Sequence, residues 1–323
     1  MNYTLLVIIF SVFCLSAKAQ RAQYISAYEY EGCILLENKN TRVILNPNLG
    51  GSVLEYSLHG KNILFENPKH DGRIWKGGEE RFEVPGGRMD VGPEKTTPFR
   101  ASFFNKWQAK ITGKLSATMT SPIDTVLGLK LIREFILDSE SSRLTCTQTI
   151  ENTGNIPQAY AHWSRTLAKG GGICLIPIAQ NKRLPQGYAL YRDQQTIDFN
   201  PVPEKNIRKR NGILEILGPT SVPKFAIESD AGWIAYIHQN DLLFIKTFPV
   251  YPDKLYGDML SNQVSIWYYK NEKCEIEPLG PLEVIKPGQR ISFTETWDLL
   301  AYEFPKNKLT PLNQINGLIN YLK

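Results

Sequence analysis

Apolar and polar residues alternate with a period of two through most of this chain, and that alternation restricts the fold to one built from strands. Leu127, Leu129 and Leu131 begin such a run, which continues to Leu137. A polar turn follows at 138–142, and the alternation resumes over 144–150 with threonines between the larger residues. This pattern predicts a long antiparallel hairpin with threonine enriched on one face.

The same reasoning extends to the rest of the chain. The turns carry Asn-Pro, Gly-Gly and Pro-Gly signals. Helical spacing is scarce, and its clearest case is Leu312, Ile315, Leu318, Ile319 and Leu322 after Pro311. We therefore predict an all-β domain of two large antiparallel sheets packed face to face, closed by a short C-terminal helix. Further strands are predicted at 33–36, 42–45, 53–58, 107–117, 160–166, 233–238, 242–248, 264–269 and 291–297.

The first nineteen residues predict a cleavable signal peptide. The apolar stretch 5–17 is shorter than the roughly twenty residues that span a bilayer as a helix. Ala17-Lys18-Ala19 has the small-x-small pattern of a cleavage site, and Cys14 does not lie in a lipobox. We expect residues 20–323 to form a single exported domain, periplasmic or secreted, without a stable membrane anchor.

Four cysteines follow the predicted cleavage site: Cys33, Cys146, Cys174 and Cys274. In an oxidising compartment they could form two disulfides in any of three pairings. Their wide spacing does not resemble that of a small metal-binding motif, and a domain of this size does not need disulfides to be stable. Buried free thiols in strands are the favoured interpretation.

Charge and motif content exclude several functions. The formal net charge is +5 and no long basic stripe accompanies it, which gives no case for a nucleic-acid partner. The chain contains no P-loop, GxGxxG, HExxH or Gly-x-Ser-x-Gly motif, so nucleotide-binding, zinc-protease and α/β-hydrolase functions are not supported.

Two segments carry candidates for proton transfer. His162 lies in a predicted strand that also carries Trp163 and Arg165, although a lone strand histidine is often a satisfied core residue. Glu275 and Glu277 lie at positions i and i+2, so their side chains share one face of a strand and repel if both are ionised. Burial near another carboxylate raises proton affinity, which suits a general base; a charged strand end before a Pro turn is the alternative.

The segment 73–94 predicts a binding loop for a polyol. It concentrates Trp75, Arg81, Arg88 and Glu94 among glycines in a poor strand pattern. Aromatic faces stack on the C–H side of a sugar, and forked guanidinium and carboxylate groups bind its hydroxyls. Loops of this length in compact domains usually have a function.

Taken together, the ordered motifs resemble the galactose mutarotase-like (aldose 1-epimerase) superfamily, in an exported branch. The resemblance covers about residues 30 to 300. The family's His-Pro-Tyr-Phe-Asn stretch reads His-Trp-Ser-Arg-Thr here, and its sugar-holding Asn-Arg pair and early His motif are absent. The matching segments are the strand and Gly-Gly turn at 42–53, the Asn-Thr-Gly-x-x-Pro strand end at 152–157, His162, Glu277-Pro278 and the closing Pro-Gly strand at 287–297.

The resemblance implies a sugar or oligosaccharide partner and interconversion of sugar anomers. In that scheme Glu277 removes the proton of the anomeric hydroxyl and His162 donates a proton to the ring oxygen, with no metal or redox cofactor. Hydroxyl contacts are expected from residues of suitable type and place, and stacking from a tryptophan. These residues are Arg88, Arg81, Arg165 and Asp258 for the hydroxyls and Trp163 or Trp75 for stacking.

Two other functions remain open on the same fold. One is a polysaccharide lyase or glycoside hydrolase; a hydrolase would use two carboxylates, and Glu277 with Glu94 or Asp258 could supply such a pair. A non-catalytic carbohydrate-binding protein would keep the groove without turnover. The oligomeric state stays open as well.

Overall fold

The elements that carry the fold are almost all strands. The computed structural model describes residues 20–78, 82–94, 97, 101–193 and 195–322; the predicted signal peptide lies outside them. The first twelve strands are β1 Arg21–Ala27, β2 Tyr30–Glu37, β3 Thr41–Asn46, β4 Ser52–Leu58, β5 Lys61–Asn62, β6 Gly87–Gly92, β7 Gln108–Gly113, β8 Ser116–Thr120, β9 Leu129–Leu137, β10 Leu144–Asn152, β11 Gln158–Lys169 and β12 Ile173–Pro177. The later elements are β13 Tyr188–Tyr191, β14 Ile197–Asp198, β15 Ile207–Arg210, β16 Ile213–Ile216, β17 Lys224–Ile227, β18 Trp233–His238, β19 Leu242–Thr247, β20 Val264–Tyr269, β21 Lys273–Pro278, β22 Glu283–Ile285, β23 Arg290–Ala301 and the helix α1 Leu312–Leu322. Single 3-10 turns lie at Pro68–His70 and Ala101–Phe103.

These strands form two antiparallel sheets. In the described residues the first sheet has the order β1-β2-β3-β4-β6-β11-β21-β20-β17-β13-β14, with β5 and β22 at its margins. The second has the order β15-β16-β12-β18-β19-β23-β10-β9-β8-β7. The predicted two-sheet architecture with a short C-terminal helix is confirmed.

One predicted strand was wrong in its extent. The alternation over 107–117 predicted a single strand, but the chain reverses there into the hairpin of β7 and β8, in which Gly113 pairs with Ser116. The reversal leaves a two-residue loop, Lys114 and Leu115. A strand pattern alone does not show a reversal whose flanking residues continue the alternation on both sides.

The main core fills the space between the sheets, and a smaller one lies outside. Large side chains such as Phe135, Phe244 and Trp297 are almost fully buried between the sheets. On the outer face of the second sheet, Ile315 and Ile319 of α1 pack against β12, β16, β18 and β19. The four cysteines are buried free thiols, as favoured from the sequence. No helix in the described part of the chain is long and apolar enough to cross a membrane.

A buried ion pair of the second sheet is hydrogen-bonded to hydroxyl groups of the first sheet. Lys246 of β19 lies 3.1 Å from Glu295 of β23, and both side chains are essentially unexposed. Lys246 Nζ donates to the hydroxyls of Ser164 and Thr166 on β11, at 3.0 and 2.9 Å. The Ser164 hydroxyl and the Trp297 indole N–H both donate to Glu295, at 2.7 and 3.0 Å. Lys246 and Glu295 come from the second sheet and the two hydroxyls from the first, so this network fixes where β11 lies over β19 and β23.

We predict that Lys246→Met destabilises the fold strongly. The substitution keeps most of the side-chain volume but leaves the Glu295 carboxylate buried without its cation, a change that typically costs about 3–5 kcal/mol. Urea unfolding of the variant measures this loss. The double variant Lys246→Met/Glu295→Met removes both charges and should recover part of it.

The matched control is Lys254→Met, which removes the lysine of an exposed pair with Glu283, whose N–O distance is 3.2 Å. Exposed pairs contribute about 1 kcal/mol or less. Equal losses for Lys246→Met and Lys254→Met would contradict the role given to the buried pair.

Candidate functional site

Neighbouring strands of the first sheet place charged side chains on the face that points away from the second sheet. On β11, Trp163 and Arg165 occupy alternate positions, so both project from the same face. Register pairs Trp163 with Asp90 and Arg165 with Arg88 across β6. Side chains of paired residues lie on the same side of a sheet, so the four meet there. The alternate residues of β11 carry the contacts to the second sheet.

Arg165 is the centre of a network of carboxylates. Its Nε lies 2.8 Å from Asp90 Oδ2 and 3.5 Å from Glu277 Oε1. Its Nη2 donates to Glu94 Oε1 at 2.6 Å. Lys224, the first residue of β17, donates to the second oxygen of Glu277 at 2.5 Å. Glu277 is thus held between two cations and is fully buried.

The two glutamates of β21 share a face, as the i, i+2 spacing predicted, but their proton affinities move in opposite directions. Burial and the neighbouring Glu277 carboxylate raise the pKa of Glu275 to about 8. Burial alone would raise the pKa of Glu277 too, but Lys224 and Arg165 outweigh it and lower the pKa to about 2. Glu277 is therefore the carboxyl group of the pair that ionises first, and Glu275 is the one that keeps its proton to higher pH.

A cavity of about 460 Å³ opens beside this cluster. Its volume lies within the range of small-molecule sites. Aromatic and apolar groups form most of the wall, and charged groups interrupt it at a few points. The lining residues are Pro93, Glu94, Trp163, Tyr191, Asp193, Lys224, Tyr256, Gly257, Asp258, Met259 and Leu282.

A loop between β19 and β20 brings Asp258 to the cavity. Its close approach depends on Gly257, where an added Cβ would lie 2.5 Å from the Cβ of Ala161 on β11. The Tyr191 hydroxyl and the Leu260 backbone N–H both donate to Asp258. These bonds hold the carboxyl group in a defined orientation at the cavity wall.

Two carboxyl groups of the cavity wall, those of Asp258 and Glu94, differ in the direction of their pKa shifts. Burial raises the pKa of Asp258, and the hydrogen bond from Tyr191 offsets only part of that rise. Burial also acts on Glu94, but the charges of Arg165 and Lys224 outweigh it, so the pKa of Glu94 is lowered. Groups whose environments separate their pKa values are suited to distinct acid and base roles.

His162 does not reach this cavity. It projects from the opposite face of β11, between the sheets, where its ring stacks on Phe293 with 5.7 Å between centroids. The residue is 1% exposed, and burial lowers its pKa to about 3, so the imidazole is uncharged at neutral pH. The predicted pairing of Glu277 with a protonated His162 therefore does not fit the structure, because residues at adjacent strand positions face opposite sides of a sheet.

The other predicted site residues lie in different places. Trp163, Glu94 and Asp258 line the cavity, and Arg165 lies behind Glu94. Arg88 does not line the cavity. It lies on strand β6 and not in a loop, and its guanidinium group is 3.4 Å from Asp90 and 3.6 Å from Glu275. Trp75 does not line the cavity, and its ring packs against that of Phe104 with 5.6 Å between the centroids. Arg81 lies outside the described residues.

Sequence reasoning missed Lys224, Tyr191 and Tyr256. Lys224 is one of 37 lysine and arginine residues, and nothing in Pro223-Lys224-Phe225 separates it from an ordinary strand-start lysine. Tyr191 and Tyr256 reach the cavity from segments far apart in the chain. Of these three residues, only Tyr256 had a local sequence signal, because it lies next to Gly257 and the predicted site residue Asp258. Over the part of the chain that the structure describes, no group of three or more His, Cys, Asp or Glu residues is arranged to hold a metal.

Comparison with known proteins identifies the fold. No protein-family model and no curated protein sequence matches the chain. A galactose mutarotase-like protein from Clostridium acetobutylicum superposes with a TM-score of 0.61 at 14% identity, over 88% of this chain and 99% of that one. A galactose mutarotase-like protein from Lactobacillus casei gives 0.57 at 11% identity, over 83% and 100%. A galactose mutarotase related enzyme from Lactobacillus acidophilus gives 0.55 at 9% identity, over 85% and 99%. The chain has the galactose mutarotase-like fold, as the motif resemblance implied.

We predict that the stability of this protein depends on the proton of Glu275. Its pKa in the folded state lies above the ordinary value of 4.5. The stabilisation is therefore complete below the ordinary value and is lost as pH rises through about 8. Urea unfolding between pH 5 and 8.5 should show a loss of up to about 1.4 kcal/mol per pH unit from this group, and Glu275→Gln should remove that component.

The matched control is Glu272→Gln, on the same hairpin, whose side chain is 49% exposed. Its pH dependence should parallel that of the unmodified protein. A constant difference in free energy of unfolding between the unmodified protein and Glu275→Gln across this range would refute the assignment.

Proposed function

We propose that this protein is an exported, carbohydrate-active enzyme that interconverts the anomers of a sugar by acid–base catalysis, in the manner of an aldose 1-epimerase. The observation that carries the proposal is the cavity in which the Asp258 carboxyl, with its raised pKa, and the Lys224 ammonium both line a wall built on aromatic rings. The galactose mutarotase-like names of its structural neighbours support a sugar as the ligand.

Binding would use both kinds of wall. Trp163 and Tyr256 are buried at the cavity wall and offer flat apolar surfaces for the C–H face of a sugar ring. Glu94, Asp258 and the Tyr191 hydroxyl line the same space and can bind sugar hydroxyls. Arg165 lies behind Glu94 and fixes its carboxylate.

The proton transfers follow from the charge states. Ionised Asp258 removes the proton of the anomeric hydroxyl, and its raised pKa makes it a stronger base near neutral pH than an ordinary aspartate. The Lys224 ammonium donates a proton to the ring oxygen, the C1–O bond breaks, and an aldehyde forms. Rotation about the C1–C2 bond presents the other carbonyl face, and the same transfers in reverse close the ring as the second anomer.

Glu277 takes a supporting part in this scheme. Lys224 donates to Glu277 at 2.5 Å, so this contact fixes the position of the ammonium group beside the cavity. Glu277 therefore orients Lys224 and acts as a positioning residue. This assignment replaces the predicted role of general base, since its pKa of about 2 makes it a weak one.

Glycoside hydrolysis is the second candidate. The observation that favours it is the opposite shift of two carboxyl groups in one cavity, with Asp258 raised and Glu94 lowered. A protonated Asp258 could act as general acid on a glycosidic oxygen, while Glu94 activates water or attacks the anomeric carbon. Cleavage of an oligosaccharide would separate this function from anomer interconversion.

We expect Asp258→Asn to abolish most of the catalysed interconversion. NMR of freshly dissolved aldoses follows the approach to anomeric equilibrium with and without residues 20–323 of the protein. Loss of the general base should lower the acceleration by about 10²- to 10⁴-fold. Oligosaccharides included in the same panel report hydrolysis.

Asp253→Asn is the matched control, since Asp253 is exposed on the same loop and does not line the cavity. It should keep the full acceleration. If the unmodified protein accelerates no sugar, or if the two variants lose activity equally, the proposed mechanism is refuted. Binding without any reaction would identify a carbohydrate-binding protein.

Export is proposed on the sequence of residues 1–19. The chain expressed in a Gram-negative host should be recovered from the periplasm beginning at Gln20, and N-terminal sequencing of the purified protein reads this directly. Replacing Ala17 and Ala19 with bulky residues should block cleavage, because signal peptidase requires small side chains there. Full-length protein retained in the cytoplasm would contradict export.

A further inference from the structure

A row of paired residues crosses the outer face of the first sheet at the edge of the cavity. Register pairs Tyr191 of β13 with Lys224 of β17, and Lys224 with Trp267 of β20. Paired side chains lie on the same side of a sheet, with their Cβ atoms about 5 Å apart. The cavity lining includes Tyr191 and Lys224 but not Trp267. Trp267 is therefore the next side chain of this row beyond the cavity wall.

The side chain of Lys224 connects the cavity to this neighbour. To reach Glu277 on β21 it crosses β20, where the residue opposite Glu277 is Ser265. Serine is small and leaves room for the lysine to pass, while Trp267, two positions further on, lies beside the same side chain. The Lys224 Nζ also lies 5.8 Å from the centroid of the Trp163 ring. The lysine is thus flanked by a ring of the cavity wall and by a ring just outside it.

Trp267 and Tyr269 form an aromatic surface that is partly open to solvent. They occupy alternate positions of β20 and are half-buried, whereas Tyr268 between them is buried in the core. Their ring centroids are 5.2 Å apart, with 37° between the ring planes. Lys273 lies 5.5 and 5.0 Å from the two centroids and is paired with Glu83 at 2.5 Å. This ion pair supports the two rings, and their partial exposure leaves ring surface for a ligand.

The cavity also has room for more than one sugar ring. Its volume of about 460 Å³ exceeds that of a single hexose. Met259 lines the cavity and is nevertheless 49% exposed, so the cavity opens at the protein surface. A ligand can therefore extend from the cavity over the neighbouring face of the sheet.

We propose that the ligand of this cavity is an oligosaccharide and that Trp267 and Tyr269 form a second sugar subsite. The inference rests on the proposed function, because it names the substrate class of the same site. The sugar with the free anomeric hydroxyl would lie in the cavity beside Asp258 and Lys224. The next sugar would stack the C–H side of its ring on Trp267, and Tyr269 would extend that surface.

The test compares each hexose with a disaccharide that has the same sugar at its reducing end. Calorimetry with residues 20–323 measures the Kd of glucose, galactose and mannose and of the 1,4-linked disaccharide of each. In the series whose hexose binds, we expect the disaccharide to bind about tenfold more tightly, because stacking on the aromatic surface adds to the contacts of the first ring.

Trp267→Ala should lower the affinity for the disaccharide to that for the hexose, whereas Trp267→Phe should keep much of the preference. Unchanged binding of the hexose shows that the variant still folds. Tyr269→Ala is the second variant and should weaken binding of the disaccharide alone. The matched control is Tyr24→Ala, which removes an exposed aromatic ring from β1 of the same sheet and should change neither affinity.

Equal affinities of hexose and disaccharide in every series would overturn the inference, as would a preference that both Trp267→Ala and Tyr269→Ala retain. The preference without any anomer interconversion would support the oligosaccharide ligand and refute the proposed catalysis. Interconversion of hexoses without the preference would support the catalysis and refute the second subsite. Absence of binding by any sugar would refute both.

Discussion

The contact on which this structure depends is the buried ion pair of Lys246 and Glu295, together with the hydroxyls of Ser164 and Thr166 that accept from or donate to it. Buried charges are tolerated when they are paired and fully hydrogen-bonded, and here the partners come from both sheets. Strand β11 supplies the two hydroxyls. A shift of this strand along the second sheet would break the hydrogen bonds of both hydroxyls and leave a buried charge without these partners. The alternate residues of β11 face the other way and carry the candidate site.

The charge states in the site depend on a small number of cations that lie among a larger number of carboxyl groups. Lys224 and Arg165 hold Glu277 ionised, and the field of Glu277 in turn keeps the proton on Glu275. Asp258 at the cavity wall owes its raised pKa first to burial, and the Glu277 carboxylate adds to that rise. The proposed proton transfers depend on this distribution of charge, because a neutral Lys224 would remove the proton donor.

Local patterns predicted much of the fold and part of the site. The alternation around Leu129 and Leu144 fixed strand identity, because one buried face requires a period of two. It failed over 107–117, where the hairpin reverses within an unbroken pattern. The i, i+2 spacing of Glu275 and Glu277 placed both on one face, yet which of them keeps the proton is decided by Lys224, some fifty residues away in sequence. The same alternation places the side chains of His162 and Trp163 on opposite faces of the strand, but it does not show which of the two faces carries a site.

The sequence by itself determined the strand content, the antiparallel two-sheet fold, the C-terminal helix and the presence of Trp163, Arg165, Glu94 and Asp258 among the candidates. These depend on residue type and on short-range periodicity. The tertiary structure alone decided that His162 belongs to the core, that Glu277 is a buried counterion, and that Lys224, Tyr191 and Tyr256 complete the cavity. The physical reason is that charge state and access depend on neighbours through space. Strands β6, β11, β17 and β21 become neighbours only when the sheet has formed.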